Sequence, residues 1–216
     1  MGKYDYVLWD WNGTLLDDLQ MNIEIENCLL KRRGLQKFGS KEFYLNEFGF
    51  PIIDFYIKLG FDFTKESYAD VADEYFEEYE KRLPSANVFP DALPVIELLR
   101  KDGIKNVIIS ATEHELLKKQ MATFGIEDKF ESVLGSEDNL GKSKVSVAID
   151  WMKENSVDAS RAVFIGDTTH DYETAKAIGC ECFFVCRGHN SKERLTETGC
   201  EVFENLREVY ERLMKE

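Results

Sequence analysis

The sequence predicts an α/β fold, in which a parallel sheet carries helices on both faces and a helical segment is inserted after the first strand. Three observations indicate this class. From about residue 90 onward, short apolar runs alternate with helical stretches of roughly 8–12 residues. The first apolar run, residues 6–9, ends directly in Asp10. Between residues 18 and 83, apolar residues instead recur with helical spacing.

The first predicted strand delivers a carboxylate to its C-terminal end. Its sequence YVLW is apolar throughout, and Asp10 is followed within three residues by Gly13. Because open parallel sheets bind ligands outside the carboxyl ends of their strands, we interpret Asp10 as a nucleophile. We interpret Gly13 as the residue that lets backbone N–H groups approach an anion.

The inserted segment is predicted to contain helices at residues 19–33, 52–59 and 65–82. The last of these has its apolar residues on one face, and we interpret the acids on the other face as a solvated surface. Residues 38–51 are rich in aromatics, which fit either a hydrophobic core or the lining of a substrate pocket. We expect residues 18–84 to form a helical cap domain over the carboxyl edge of a core made of residues 1–17 plus 85–216.

The remaining chain is predicted to supply the rest of the sheet. Apolar runs indicate strands at residues 107–109, 132–135, 162–165, 183–186 and 201–203. Two of these runs are followed by residues whose side chains could bind a ligand or take part in catalysis, Ser110 and Asp167. In a parallel sheet both would lie at the same edge as Asp10.

Composition limits the classes of partner. The net charge of −14 over 216 residues argues against a nucleic-acid backbone or an anionic membrane. No apolar run approaches the length of a membrane span, and the five cysteines are unevenly spread, unlike a disulfide framework. We therefore expect a cytoplasmic protein, a monomer or dimer, with a small-molecule ligand.

The stretch D-W-N-G-T-L-L-D, from Asp10 to Asp17, resembles the first motif of the haloacid dehalogenase-like superfamily of aspartate-nucleophile phosphohydrolases, D-x-D-G-T-L-x-D. One position departs from that motif, because Asn12 stands where most phosphatases of the superfamily carry a second aspartate. Residues 88–103, VFPDALPVIELLRKDG, resemble the phosphoglycolate phosphatase-like branch. The resemblance spans essentially the whole chain and implies a Rossmann-like core with an all-helical cap inserted after the first motif.

The second and third motifs of the superfamily have counterparts here. Ser110 resembles the second-motif hydroxyl, which with the backbone N–H of Ala111 would hold a phosphoryl oxygen. A lysine would neutralise charge on the phosphoryl group, and both Lys142 and Lys144 qualify. The usual spacing to Asp167 favours Lys142, whereas a position in the first helical turn favours Lys144. We prefer Lys144 slightly.

The stretch from Gly166 to Asp171 resembles the fourth motif, G-D-x-x-x-D. The resemblance implies that Asp167 binds Mg²⁺ beside Asp10, with the backbone carbonyl of Asn12 as a further ligand. Asp171 would ligate through water or hold the site in shape. We interpret Asp17 as a structural residue that caps the turn or the adjoining helix, and His170 as an exposed loop residue rather than a base.

Asn12 decides between two hypotheses. In related phosphatases the aspartate at this position protonates the leaving group and then activates water, which an amide cannot do. Its backbone groups can still contact phosphate and metal. We expect a Mg²⁺-dependent phosphatase that hydrolyses a small phosphate monoester, phosphoglycolate-like or a sugar phosphate, through an aspartyl-phosphate on Asp10. The alternative is a phospho-ligand-binding protein with little turnover. Dehalogenase chemistry is less favoured, because the Mg²⁺ motif is intact.

Overall fold

A computed structural model describes residues 2–136 and 144–215 of the chain. Its regular elements alternate between strands and helices after the inserted segment, as the sequence predicts. In chain order they are β1 (Tyr6–Trp9), β2 (Leu16–Asp17), α1 (Leu19–Arg32), α2 (Lys41–Glu47), α3 (Ile52–Lys58), α4 (Tyr68–Arg82), β3 (Asn87–Val88), α5 (Ala92–Lys101), β4 (Lys105–Glu113), α6 (His114–Phe124), β5 (Ser132–Ser136), α7 (Lys144–Glu154), β6 (Ala162–Gly166), α8 (Thr169–Ile178), β7 (Glu181–Val185), α9 (Lys192–Glu197), β8 (Glu201–Phe203) and α10 (Leu206–Leu213).

Six of the strands form one parallel sheet in the order β5-β4-β1-β6-β7-β8. The first strand lies at its centre, where Trp9 is opposite Ile108 of β4 and Ile165 of β6. A central strand covered on both faces must be apolar at every position, which explains the uninterrupted run at residues 6–9. The predicted α/β class is therefore confirmed.

The two faces of the sheet bury separate halves of the core. Val7 and Trp9 point to the face covered by α5, α6 and α10, whereas Leu8 points to the face covered by α7, α8 and α9. This alternation follows from the two-residue period of a strand. The resulting two-layer cover keeps β1 rigid and fixes the position of the residue that follows it.

Helices α1 to α4 are inserted between β2 and β3. These two short strands, which the sequence did not reveal, pair antiparallel and bring Asp17 opposite Asn87. The inserted helices bury an apolar cluster of their own, which includes Leu29, Tyr56 and Val71. The division into a core and a cap at residues 18–84 remains a prediction. The β2–β3 pair lies next to both predicted boundaries, since β2 ends at Asp17 and β3 begins at Asn87.

Local capping explains where two of the inserted helices begin. Ser67 Oγ accepts a hydrogen bond from the Ala69 N–H, so α4 begins at Tyr68 rather than at the predicted residue 65. Ser40 Oγ likewise accepts from the Phe43 N–H and starts α2, a helix that was not predicted. Among the described residues, no helix combines the length and apolar character that a membrane span requires.

Candidate active site

Asp10 follows β1 directly and lies at the carboxyl end of the sheet. Its backbone N–H donates to the Ile165 carbonyl at 2.9 Å, which extends the pairing between β1 and β6 by one residue. The residue is 7% exposed. A carboxylate that is almost buried yet lines a cavity is placed to meet a ligand but not bulk water.

Three carboxylates meet at this point. Oxygen atoms of Asp10, Asp167 and Asp171 all lie within 4.8 Å of one another, and all three residues are buried. The Lys144 ammonium, from the first turn of α7, forms ion pairs with Asp10 and Asp171. One ammonium among three carboxylates leaves the cluster with excess negative charge, and hard oxygen donors of this kind suit a small divalent cation.

Asp171 is held by the backbone that precedes it. Its Oδ2 accepts hydrogen bonds from the N–H groups of Asp167 and Thr168, at 3.1 and 2.9 Å, and from the Thr168 hydroxyl at 2.8 Å. These bonds form a capping box at the start of α8. The spacing of four residues between the two aspartates therefore closes the first turn of a helix and presents both carboxylates to Asp10.

A left-handed turn packs tightly against this cluster. Gly13 has φ +74°, and a Cβ placed there would lie 2.4 Å from Asp167 Oδ2 and 2.6 Å from His189 Cδ2. Only glycine fits this backbone conformation and this close approach. The next residue, Thr14, donates its hydroxyl hydrogen bond to Asp167 Oδ1 at 2.6 Å. The turn after β1 thus fixes the orientation of the Asp167 carboxylate.

Both polar atoms of the Asn12 side chain form hydrogen bonds. Its Nδ2 donates to Asp18 Oδ2 and to the Tyr79 hydroxyl, each at 2.8 Å, and its Oδ1 accepts from the Thr112 hydroxyl at 2.9 Å. Asp18 Oδ1 accepts from the Gly13 N–H at 2.9 Å. The amide therefore ties the turn to the inserted helix α4 and to β4.

His189 forms a buried network with Asp18 and Tyr44. Its Nε2 lies 3.1 Å from Asp18 Oδ1, its Nδ1 lies 3.0 Å from the Tyr44 hydroxyl, and its backbone N–H donates to Asp167 Oδ2 at 2.6 Å. Burial acts to lower the pKa of His189, but the Asp18 carboxylate raises it to about 9. The imidazolium in turn lowers the pKa of Asp18 despite the burial of that carboxyl. An ion pair therefore lies beside the carboxylate cluster.

Burial also shapes the protonation of the cluster itself. It raises the pKa of Asp10 well above the ordinary range, against the opposing effect of Lys144. Burial likewise raises the pKa of Asp167 to about 6. The pKa of Asp171 is lowered, because the Lys144 ammonium and the hydrogen bonds from Thr168 outweigh its burial. Without an added cation, Asp10 and Asp167 therefore bind protons more readily than free carboxylates do, whereas Asp171 binds them less readily.

A cavity of about 120 Å³ opens above Asp10. Its floor includes Asn12, Ser110, Ala111 and Lys144. Ser110 is 1% exposed, and its Oγ accepts a hydrogen bond from the Thr112 N–H at 3.1 Å. The inserted helices supply most of the remaining wall, so the cavity lies between the sheet edge and the insertion.

The structure gathers most of the residues singled out from the sequence. Asp10, Lys144, Asp167 and Asp171 form one cluster, and Asn12, Ser110 and Ala111 share the cavity with Asp10. Gly13 forms the turn against Asp167. Lys142 lies outside the described residues. The roles of these residues in catalysis, phosphate binding and metal binding remain predictions.

Two interpretations of side chains were wrong. Asp17 lies exposed in β2, and the neighbouring Asp18 accepts the hydrogen bond that closes the turn. His170 is not an exposed loop residue, because it lies in the first turn of α8 and its ring stacks on Phe50 with centroids 4.3 Å apart. In both cases the pattern of the motif did not reveal which side chain faces the insertion.

The aromatic segment at residues 38–51 contributes both to the hydrophobic core and to the wall of the cavity. Tyr44 is buried against Phe55, whereas Phe48 and Phe50 line the cavity and Phe43 is 40% exposed. Sequence reasoning assigned no role to Asp18 or His189. The one available signal for His189 was its place just after β7, at the same edge of the sheet as Asp10.

Comparison with known proteins defines the family. The sequence profile of the haloacid dehalogenase-like hydrolases matches residues 7–185. A phosphoglycolate phosphatase of Pseudomonas fluorescens is 26% identical over 211 residues, which cover 93% of this chain and 76% of that protein. A phosphoglycolate phosphatase of Aquifex aeolicus is 23% identical over 189 residues, 85% of each chain. The chain belongs to the haloacid dehalogenase-like hydrolase family.

Solved structures agree with this fold. The crystal structure of a predicted phosphatase from Clostridium acetobutylicum superposes with a TM-score of 0.84 at 22% identity and covers 99% of each chain. A haloacid dehalogenase-like family protein from Streptococcus pneumoniae gives a TM-score of 0.81 at 17% identity, over 96% of this chain and 97% of that chain. The predicted family is therefore confirmed, and the phosphatase relatives support the predicted class of enzyme, a phosphoric ester hydrolase.

Proposed function

We propose that this protein is a Mg²⁺-dependent phosphatase that hydrolyses a small phosphate monoester through an aspartyl-phosphate on Asp10. The observation that carries the proposal is the position of Asp10, which lines the cavity beside the Lys144 ammonium and two further buried carboxylates. The names of the related phosphoglycolate phosphatases support the same reaction type.

The chain's own residues supply the steps of this mechanism. A carboxylate oxygen of Asp10 attacks phosphorus, the bond from phosphorus to the ester oxygen breaks, and water later displaces the phosphoryl group from Asp10. Lys144 neutralises charge on the phosphoryl oxygens, and Ser110 with the Ala111 N–H holds one of them. Closure of the inserted helices over the cavity excludes bulk water.

Asp10, Asp167 and Asp171, with the Asn12 carbonyl, are the residues that would hold Mg²⁺. The donor set fits, because it consists of buried oxygens whose negative charge exceeds the single positive charge of Lys144. When bound, the ion would offset the charge of the phosphoryl group and the carboxylates. Cytoplasmic location and a monomeric or dimeric state remain predictions.

The second candidate function is binding of a phosphorylated ligand with little turnover. It is favoured by the Asn12 amide, which occupies the acid–base position and whose two N–H groups are bonded to Asp18 and Tyr79 and whose oxygen is bonded to Thr112. The Asn12 amide itself cannot act as a general acid there. Loss of positioned acid–base catalysis typically lowers rates by about 10²–10⁴-fold.

Phosphate release separates the two candidates. We would assay p-nitrophenyl phosphate and a panel of alkyl, sugar and carboxylic-acid phosphates, with Mg²⁺ and with EDTA, on the wild type and on Asp10→Asn. The phosphatase proposal expects release that requires both Mg²⁺ and Asp10. Release from no ester, together with Mg²⁺-dependent binding of those esters, would establish the binding function instead.

A further inference from the structure

The wall of the cavity opposite Asp10 has a composition that the proposed mechanism does not use. The inserted helices and the loop before α3 line it with aromatic rings, which include Phe48, Phe50, Tyr56, Tyr68, Tyr75 and Tyr79. These rings offer flat apolar faces to the organic part of a ligand whose phosphate lies at Asp10.

One carboxyl group stands among these rings. Asp18, Asn22 and Glu26 all line the cavity and follow one another at intervals of four residues, so they lie on one face of α1. The row leads from the catalytic cluster into the insertion. With a rise of 1.5 Å per residue, Glu26 lies about 12 Å along the helix from Asp18.

Glu26 is buried without full hydrogen bonding. It is 2% exposed, and its Oε1 accepts a hydrogen bond from the Tyr56 hydroxyl at 3.2 Å. Its Oε2 is buried and has no hydrogen-bond partner among the described residues. Burial raises the pKa of Glu26 to about 8, against a smaller effect of the Tyr56 hydroxyl. An unpaired buried acceptor destabilises a protein, so a group of this kind in a cavity wall is a position where a bound donor would stabilise the structure.

Among the described residues, the positive charges that line the cavity are already paired with carboxylates. Among the described residues that line the cavity, Lys144 is the one lysine or arginine, and it is paired with Asp10 and Asp171. His189 is likewise paired with Asp18. A carboxylate on the ligand would therefore meet Glu26 without a cation to stabilise it, whereas an ammonium would meet an acceptor and several aromatic faces.

We propose that this cavity is the leaving-group subsite and that it selects phosphate monoesters whose organic part is an apolar or aromatic body ending in an amine, with the amine paired to Glu26 Oε2. This rests on the proposed phosphatase function. Asp18 precedes α1 and binds the Gly13 turn beside the catalytic cluster, so the span of α1 from Asp18 to Glu26 favours an extended ester with on the order of 10 Å between phosphorus and nitrogen. It disfavours phosphoglycolate, which is short and carries a carboxylate.

The test uses three aryl phosphates of the same shape. They are tyramine O-phosphate, its neutral counterpart 4-propylphenyl phosphate, and the acidic 3-(4-phosphonooxyphenyl)propanoate. Their phenol leaving groups are similar, so differences in kcat/KM report recognition at the far end. We expect a preference for the amine over the propyl compound of at least about tenfold, as for a charge-assisted hydrogen bond. The carboxylate should be the poorest of the three.

Two variants identify the group responsible. Glu26→Gln keeps the size of the side chain and removes its ability to ionise beside a bound ammonium, and it should reduce the preference for the amine to within about twofold. Glu24→Gln is the matched control, because Glu24 lies on the same helix but is exposed. Equal kcat/KM for the three esters, or a preference that survives in Glu26→Gln, would overturn the subsite.

Failure of the subsite is distinguishable from failure of the phosphatase. If p-nitrophenyl phosphate and 4-propylphenyl phosphate are hydrolysed without preference for the amine, only the subsite is wrong. If no ester is hydrolysed, calorimetric titration of the three aryl phosphates into Asp10→Asn decides the subsite independently of turnover. Tighter binding of the amine would support it, and equal binding of all three would reject it.

Discussion

Replacement of Asn12 by aspartate is the perturbation whose outcome the structure specifies most closely. The Asn12 Nδ2 lies 2.8 Å from Asp18 Oδ2, so Asn12→Asp places two carboxyl oxygens at hydrogen-bond distance. Two unit charges at that distance repel by about 6 kcal/mol at an effective dielectric constant of about 20. This repulsion exceeds the free energy needed to keep a carboxyl group of ordinary pKa protonated at neutral pH, which is 1.36 kcal/mol for each unit between that pKa and the pH. The introduced carboxyl should therefore be protonated, the form that a general acid requires.

The gain should depend on the leaving group. We expect Asn12→Asp to accelerate hydrolysis of alkyl phosphates by about 10²–10⁴-fold and of p-nitrophenyl phosphate much less, since a nitrophenolate departs without protonation. The assay plots log kcat against the pKa of the leaving alcohol, and the slope of this plot should be shallower in the variant than in the wild type. Asn22→Asp is the matched control, because Asn22 Nδ2 also donates to Asp18 Oδ2 at 2.8 Å. Equal rates of wild type and Asn12→Asp on alkyl phosphates would refute the assignment of Asn12.

Three further changes have defined outcomes. Lys144→Met removes the cation that pairs with the buried Asp10 and Asp171 carboxylates, and it should lower the free energy of unfolding in the absence of metal by about 3–5 kcal/mol. In urea titrations, Mg²⁺ should restore part of this loss. Equal stability of the variant and the wild type would contradict the ion pairs. Gly13→Ala should lower both Tm and activity, because the added Cβ would clash with Asp167. Gly34 also has a positive φ, +67°, but has open space around it, so Gly34→Ala should lower Tm only through backbone strain. Equal losses of Tm in the two variants would exclude the clash. Because burial raises the pKa of Glu26 to about 8 from the ordinary 4.5, the folded state retains a proton that the unfolded chain loses, and stability should fall by about 3 to 4 kcal/mol between pH 5 and pH 8. Glu26→Gln should remove that slope, and an unchanged pH profile would show that Glu26 ionises normally.

Much of the site was accessible from the sequence because its parts are local. Asp10 follows a strand that is apolar at every position, and the spacing of Asp167 and Asp171 closes a helical turn. Their convergence follows from parallel pairing of β1 with β6. The order of the strands does not need to be known for this, because all carboxyl ends share one edge.

The residues that the sequence did not reveal depend on contacts between distant segments. Asp18 is a partner of His189, which lies 171 positions away in the chain, so no local pattern links them. Glu26 is one of several acids on a predicted helix, and its buried partner, Tyr56, comes from the separate helix α3. The β2–β3 pair has two residues in each strand, too few to produce a period.

The central claim is that Asp10 becomes phosphorylated during turnover. The most direct measurement is rapid mixing with ³²P-labelled p-nitrophenyl phosphate and Mg²⁺, acid quenching, and localisation of the label by peptide mapping. Because Asn12 cannot activate water, formation of the intermediate should outrun its hydrolysis. We predict a burst of nitrophenol that approaches one equivalent per chain, with the label on Asp10 and none in Asp10→Asn. Steady phosphate release without a burst and without label on Asp10 would contradict the account.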